Sequence, residues 1–482
     1  MPTMLRPRRL ALATLASLAS GLALASLPAP ALAQPLTAAE AARVDAVFSR
    51  FTSATPGCAL GVRRNGQLAY TKGYGLASLE LGVPISPRTV FDIGSTSKQF
   101  TAASVALLAL EGRLSLDDDV RKFVPELPDL GQPVTLRRLL SHTSGWRDYI
   151  DLMMYEGWDD RDHTTDREAI AALVRQRGLN FPPGAEFRYS NTGFFLMSLV
   201  VQRVSGQSLA DFARARFFAP LGMTSTKYLT DAREVIPDKA SAYAPEGPGK
   251  WSVAMSDWEQ IGDGGVQTTV EDLARWDAAF ESGSVAGGRA LVELLTTPTK
   301  LADGKPTQYG LGLFVDDYRG LARVQHGGAW AGFRAMLMRY PSPRLSMLIA
   351  CNVADANTMG LATGVSDALL PAAALAAKPN AGADFGSRVD REPRTYAVDA
   401  AKLADYAGTY ASDEAGAEWT MVVREGKLVL SPKRGPEMPL RPVAPDEFGG
   451  PGRVRFERDA SGRVVALTVT TRGAEALRFT RR

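Results

Sequence analysis

The chain has 482 residues, 45% of them hydrophobic and 22% charged, the balance of a soluble globular protein of two or three domains. Its core can be large, so neither disulfides nor a structural metal are required for stability. The formal net charge of +3 includes Arg6, Arg8 and Arg9; without that N-terminal segment it is zero, which gives no support to nucleic acid or an anionic membrane as partner.

The arginines precede an Ala/Leu/Ser run from Leu10 to Leu27, followed by Pro28, Pro30 and Ala31-Leu32-Ala33. A charged start, an apolar stretch and an A-x-A site make residues 1–33 an expected signal peptide, cleaved after Ala33. A membrane anchor is the rival, because the run is about long enough to span. Its Ala, Ser and Gly content and the cleavage pattern favour export to the periplasm or medium, with no stable membrane span in the mature chain. Residues 34–55 predict an opening helix with Ala42, Val44, Val47 and Phe48 as apolar positions. Asn65-Gly66 between alternating apolar runs predicts a hairpin of Cys58–Arg64 and Leu68–Gly75.

The stretch Phe91–Phe100 follows. Helical spacing of Phe100, Ala103, Leu107 and Leu108 predicts a core helix from Ser95 to Glu111, stopped at Gly112. Ser95 opens it, and Lys98 lies three residues on, on the same face. One reading of Ser95 is a helix cap. The other is a nucleophile: its hydroxyl needs a neighbouring base, a desolvated lysine supplies one, and N–H groups at a helix start suit a developing oxyanion. The S-x-x-K spelling occurs once, and no serine has glycine at both i−2 and i+2, so the elbow of a Ser-His-Asp triad is missing.

Residues 113–300 read as mainly helical, with compact stretches at Leu139–Gly145 and Phe217–Met223 and an amphipathic helix at Glu271–Phe280. Among them, Tyr189-Ser190-Asn191 follows Phe181-Pro182-Pro183-Gly184. Tyr189 is either a loop tyrosine bonded to backbone or a proton shuttle whose pKa Lys98 lowers. The Asn191 amide can bind a substrate carbonyl and orient Lys98. Asp159, Asp160, Asp162 and His163 read as a solvated loop rather than a cation site, and His142 as structural.

From Tyr309 the pattern turns to strands: Tyr309–Val315, Arg323–Gly328, Gly332–Tyr340 and Ser346–Cys351. His326-Gly327-Gly328-Ala329 ends the second of these. Its glycines let a substrate backbone approach the strand edge, and the Ala329 N–H can join that of Ser95 around an oxyanion. His326 alone reads as structural. Cys58 and Cys351 lie in strand-like runs and read as buried thiols in a context that permits a disulfide; with three histidines they are too few for a metal site. Residues 371–395 are Ala/Pro/Gly-rich and read as a linker. Residues 396–482 alternate in short strands, as a separate antiparallel barrel or sandwich does.

Ser95-x-x-Lys98, Tyr189-x-Asn191 and His326-x-Gly328, in that order, resemble the three motifs of the penicillin-binding protein-like serine hydrolases. That group includes class C β-lactamases, D-alanyl-D-alanine peptidases and related esterases. The likeness runs from about residue 40 to 370 and takes in Leu116-Asp117-Asp118, Pro220-Leu221-Gly222-Met223 and Gly264-Gly265-Val266. It implies an α+β fold: an α/β sandwich with an antiparallel sheet flanked by helices, plus a helical subdomain, over residues 34–370. The all-β part resembles the lipocalin-like appendages of some of these enzymes. By the same resemblance Ser95 would be acylated, while Lys98 and Tyr189 exchange protons. Asn191, His326, Gly327 and Gly328 would bind substrate, and the N–H groups of Ser95 and Ala329 would hold the oxyanion. No metal or organic cofactor is implied.

The group usually carries Lys-Thr-Gly at the third motif, and neutral His326 supplies no fixed charge for a carboxylate. The resemblance therefore points to a small-molecule ester or D-amino-acid peptide as substrate more than to a β-lactamase or D-alanyl-D-alanine carboxypeptidase. A weakly catalytic peptidoglycan-binding module is the other class left open, and oligomeric state is not indicated. The resemblance also makes the first and last strands of the sheet neighbours, which would oppose Cys58 and Cys351 and permit a disulfide.

Overall fold

The computed structural model describes residues 35–378, 396 and 398–482. The expected signal peptide lies outside them, as does most of the expected linker. Thr37 starts helix α1 (Ala38–Val47) through a capping box with Glu40. Asn65 and Gly66 take φ of 52° and 83°, which a two-residue turn needs between right-twisted strands, so β1 (Cys58–Arg64) and β2 (Gln67–Tyr74) pair as a hairpin. The chain then runs through α2 (Lys98–Leu110), α3 (Tyr149–Glu156), α4 (Thr192–Ser205) and α5 (Val270–Ser282).

Four later strands complete the main sheet: β3 (Phe314–Tyr318), β4 (Leu321–Trp330), β5 (Phe333–Tyr340) and β6 (Leu345–Cys351). They pair antiparallel in the order β3-β4-β5-β6-β1-β2. The pairing of β1 with β6 sets Cys58 opposite Cys351, and the two sulphurs are bonded. The sequence predicts a strand from Tyr309, but β3 begins only at Phe314. Gly312 turns with φ of 74° against α2, where a Cβ would meet the Lys98 carbonyl oxygen at 2.8 Å.

Every residue of β6 is buried, so the sheet is covered on both faces. One face carries α1 and α6 (Thr358–Leu369) over Phe48, Met338, Met347 and Ile349. On the other, α5 sets Val270 and Leu273 against Leu337 and Leu348. The same cluster holds α2, whose residues from Lys98 to Leu108 are all buried. A charge inside such a core must be paired. Asp277 of α5 is paired twice, with Arg63 of β1 and with Arg339 of β5 at 2.5 Å from Nε.

Eight strands between Gly408 and Arg481 pair each with the next, and the last with the first, closing a barrel. Closure removes the exposed edges that a sandwich would leave. Tyr410, Trp419, Phe448, Phe456 and Phe479 are buried in it. The barrel docks on α3, where Trp419 Nε1 donates to the Tyr155 carbonyl at 3.0 Å, and on the segment before α4, where Arg188 pairs with Glu475 at 2.7 Å. Among the described residues no helix is long and apolar enough to cross a membrane.

Candidate active site

The turn that bears Ser95 is fixed from several sides. The Asp92 carboxylate accepts from Gly94 N at 2.7 Å and from Gln267 Nε2 at 2.6 Å. Gly94 then takes φ of 47° and opens a 3-10 turn, Gly94–Ser97, that runs straight into α2. Ser97 Oγ accepts from Val266 N, and Thr96 Oγ1 donates to the His326 carbonyl on β4. Beneath the turn, Gln99 Oε1 accepts from Trp276 Nε1 and Arg339 Nη2, while Gln99 Nε2 donates to the Thr96 carbonyl. A Cβ on Gly94 would lie 2.8 Å from Ala329 N, so the backbone of β4 abuts the turn directly.

Lys98 is wholly buried, and its Nζ lies 3.1 Å from Ser95 Oγ, 2.8 Å from Asn191 Oδ1 and 2.6 Å from the Asp263 carbonyl. Burial pushes it down to about 8, against the opposing pull of Asp263 and Asp148. A neutral amine has two N–H groups and one lone pair. Asn191 and Asp263 accept the two hydrogens, which leaves the lone pair facing the serine hydroxyl.

Tyr189 lines the same cavity as Ser95, and its ring stands 5.0 Å from Lys98 Nζ. The sequence expects Lys98 to lower the phenol. In the structure burial dominates and raises it well above its ordinary value, so Tyr189 stays protonated. His142 packs under the tyrosine with ring centroids 4.2 Å apart, and its Nδ1 accepts from Ser190 N. It steadies the Tyr189–Asn191 loop.

His326 takes the structural place that the residue alone suggests, not the substrate-binding one that the family resemblance implies. The His326 ring is fully buried behind β4, with Nε2 2.9 Å from the Tyr309 hydroxyl, and burial depresses it to about 3. Gly327, Gly328 and Ala329 line the cavity over Ser95; the His326 side chain does not. The small residue at 328 also has an internal cause, since a Cβ there would lie 1.9 Å from the Ile93 carbonyl oxygen. Of the acidic loop, His163 pairs with Glu259 at 3.0 Å and the Asp159 carbonyl accepts from Trp258 Nε1 at 2.7 Å.

Two residues that sequence reasoning missed complete the site. Asp148, at the start of α3, accepts from Asn191 N at 2.5 Å and from Asn191 Nδ2 at 3.0 Å. It thereby turns the amide so that Oδ1 faces Lys98. Burial raises its carboxyl to about 7. Asp263 supplies the carbonyl that holds Lys98, and its carboxylate accepts from the Tyr149 hydroxyl at 3.1 Å. Each lies near a stretch that the sequence singles out, the compact run Leu139–Gly145 for one and Gly264-Gly265-Val266 for the other, and that adjacency is the only signal. Above the site is a cavity of about 860 Å³, with Trp258, Trp330 and Phe333 among its apolar walls.

A sandwiched antiparallel sheet holds a serine beside a buried lysine at the start of a core helix, an arrangement suited to a serine nucleophile. The sequence profile of the beta-lactamase family matches residues 38–372, and the chain belongs to that family. Penicillin-binding protein 4* of Bacillus subtilis is 30% identical over 304 residues, covering 60% of this chain and 66% of that protein. A D-aminopeptidase of Gluconobacter oxydans is 31% identical over 332 residues, covering 67% and 62%. The chain thus spans just under two thirds of the length of these curated relatives. Among solved structures, the octameric penicillin-binding protein homologue of Pyrococcus abyssi shares the fold, with a TM-score of 0.62 at 23% identity over 92% of this chain and 99% of that one. SurE, solved with D-Leu, aligns over 92% of this chain and 99% of its own with a TM-score of 0.55 and 27% identity.

Proposed function

We propose that the protein is an exported hydrolase that forms an acyl-enzyme on Ser95 and cleaves esters or the peptide and amide bonds of D-amino acids. One observation carries this reading: a fully buried Lys98, depressed to about 8, stands 3.1 Å from Ser95 Oγ with its other two partners fixed. Ser95 Oγ adds to the substrate carbonyl carbon as Lys98 takes the hydroxyl proton. The N–H groups of Ser95 and Ala329 hold the oxyanion. Collapse breaks the bond to the leaving nitrogen or oxygen, which receives the proton from Lys98 through the Tyr189 hydroxyl. A phenol raised by burial suits that relay and does not suit the role of base. Water then enters by the reverse path and releases the acid. Asn191 has one amide hydrogen left for the substrate carbonyl once Asp148 has taken the other.

The D-aminopeptidase relative and the D-Leu complex of SurE support a substrate with a D-residue. A buried, neutral His326 offers no charge where a penicillin-binding enzyme usually presents lysine. Export is supported by the leader pattern and by the Cys58–Cys351 disulfide, which an oxidising compartment favours.

Mass measurement of intact protein after treatment with a fluorophosphonate tests the nucleophile. One adduct is expected on wild type and none on Ser95→Ala; an adduct on both variants overturns the assignment. Rates on D-alanyl peptides, D-amino-acid amides, p-nitrophenyl esters and a chromogenic cephalosporin then test the substrate. The reading fails if only the cephalosporin is turned over.

A further inference from the structure

The acidic loop of residues 159–163 braces one wall of the catalytic cavity. It and the two threonines after it are bonded to residues 257–260, which carry Trp258 into that wall. Asp257 N donates to the Asp160 carbonyl at 2.9 Å, Glu259 N to the Thr164 carbonyl at 3.0 Å, and Gln260 Nε2 to the Thr165 carbonyl at 2.6 Å. Between them Trp258 Nε1 donates to the Asp159 carbonyl. An indole has that one donor, so the rest of the ring offers only apolar surface. Trp330, the last residue of β4, is half-buried and lines the same cavity. The two indoles meet edge to face, with centroids 5.6 Å apart and planes at 62°. Their segments are tied where Gly332 N donates to the Ala254 carbonyl at 2.8 Å. Met255 and Met359 line the cavity as well, and unbranched thioethers adapt to the shape they meet.

From this placement we infer that Trp258 and Trp330 form the subsite for the side chain of the acyl residue, and that they select an aromatic one. The tetrahedral carbon on Ser95 has four substituents. Ser95 Oγ is one, the oxyanion between the N–H groups of Ser95 and Ala329 is the second, and the leaving group facing Tyr189 is the third. The fourth, the acyl residue, is left on the β4 side. Trp330 lies there, one residue of strand or about 3.3 Å beyond Ala329. A third ring placed against the pair gains edge-to-face or offset contacts at centroid separations of about 4.5–7 Å. It also takes more apolar surface out of water than a methyl group does. The indole bonded to Asp159 is held in place for this, so little ordering is left to binding. This rests on the proposed function for the chemistry at Ser95 and adds the class of residue that is acylated onto it.

The p-nitroanilides of D-phenylalanine and D-alanine share a leaving group and differ only in the acyl side chain. On the full chain, wild type is expected to favour D-phenylalanine in kcat/KM by about tenfold or more. Trp330→Ala should cut that ratio by about tenfold, and Trp330→Phe should keep it within about threefold. A wild-type preference for D-alanine, or a ratio that Trp330→Ala leaves unchanged, overturns the subsite. A second measurement keeps both tryptophans. Ser95→Ala should bind D-phenylalaninamide about tenfold more tightly than D-alaninamide, with a change in tryptophan emission on binding; equal affinities overturn the subsite even where Trp330→Ala fails to fold. If wild type cleaves neither anilide, the D-residue reading fails by itself. The ratio between p-nitrophenyl 3-phenylpropanoate and p-nitrophenyl propanoate then decides the tryptophan pair by the same criterion.

Discussion

In the proposed mechanism, Lys98 decides the pH at which Ser95 reacts. Only the neutral amine accepts a proton, so with Lys98 near 8 about a tenth of the enzyme is competent at pH 7 and about half at pH 8. Turnover of a neutral p-nitrophenyl ester, corrected for spontaneous hydrolysis, should rise through pH 8 and level off above it. A flat profile between pH 6 and 9 would contradict lysine as base. Asp148 bears on the same limb from a second position. Its negative charge raises Lys98, and its Oδ2 holds Asn191 in place. Asp148→Asn removes the charge and sets an amide against two donors. The acid limb should move to lower pH by roughly half a unit, and kcat should fall about tenfold or more as Asn191 turns. A merely structural role would lower activity without moving the limb. His326 adds nothing in this range, because burial holds it neutral down to about 3.

The 3-10 turn Gly94–Ser97 and strand β4 work as one piece, since the strand's backbone is packed on the turn without intervening side chains. Gly328→Ala would drive a Cβ into the Ile93 carbonyl at 1.9 Å, so the turn or the strand must shift. A displacement near 1 Å at a nucleophile costs on the order of a hundredfold in rate. We expect kcat/KM on the neutral ester to fall by about that factor, with circular dichroism unchanged; wild-type activity in this variant would show that the packing is soft. Much of this element scale is legible in the sequence, because it follows from local rules. Asn65-Gly66 admits one turn type, and the spacing from Phe100 to Leu108 admits a buried helix. What escapes is set by partners distant in the chain. The start of β3 depends on Gly312 meeting α2. Asp148 is unreadable for the same reason, being one acid among many until Asn191 is folded against it.

At the scale of the whole molecule, the barrel is tied to the chemistry through a few backbone contacts. The Gly473 carbonyl accepts from Asp148 N, Asp148 holds Asn191, and Asn191 holds Lys98. Nothing in the alternating strands of residues 396–482 announces this, since a turn of small and charged residues reads as solvated loop. Docking is shared by Trp419 on the Tyr155 carbonyl and by Arg147, which reaches both Gln176 and Glu414, so no single contact secures it. Gly473→Ala therefore tests the link. Its Cβ would lie 2.5 Å from Asp148 Cβ, so the turn lifts and Asp148 loses its backbone partner. Activity should then fall several-fold on every substrate, through kcat and not KM. If Gly473→Ala keeps the wild-type kcat, the link through Asp148 to Lys98 carries no coupling.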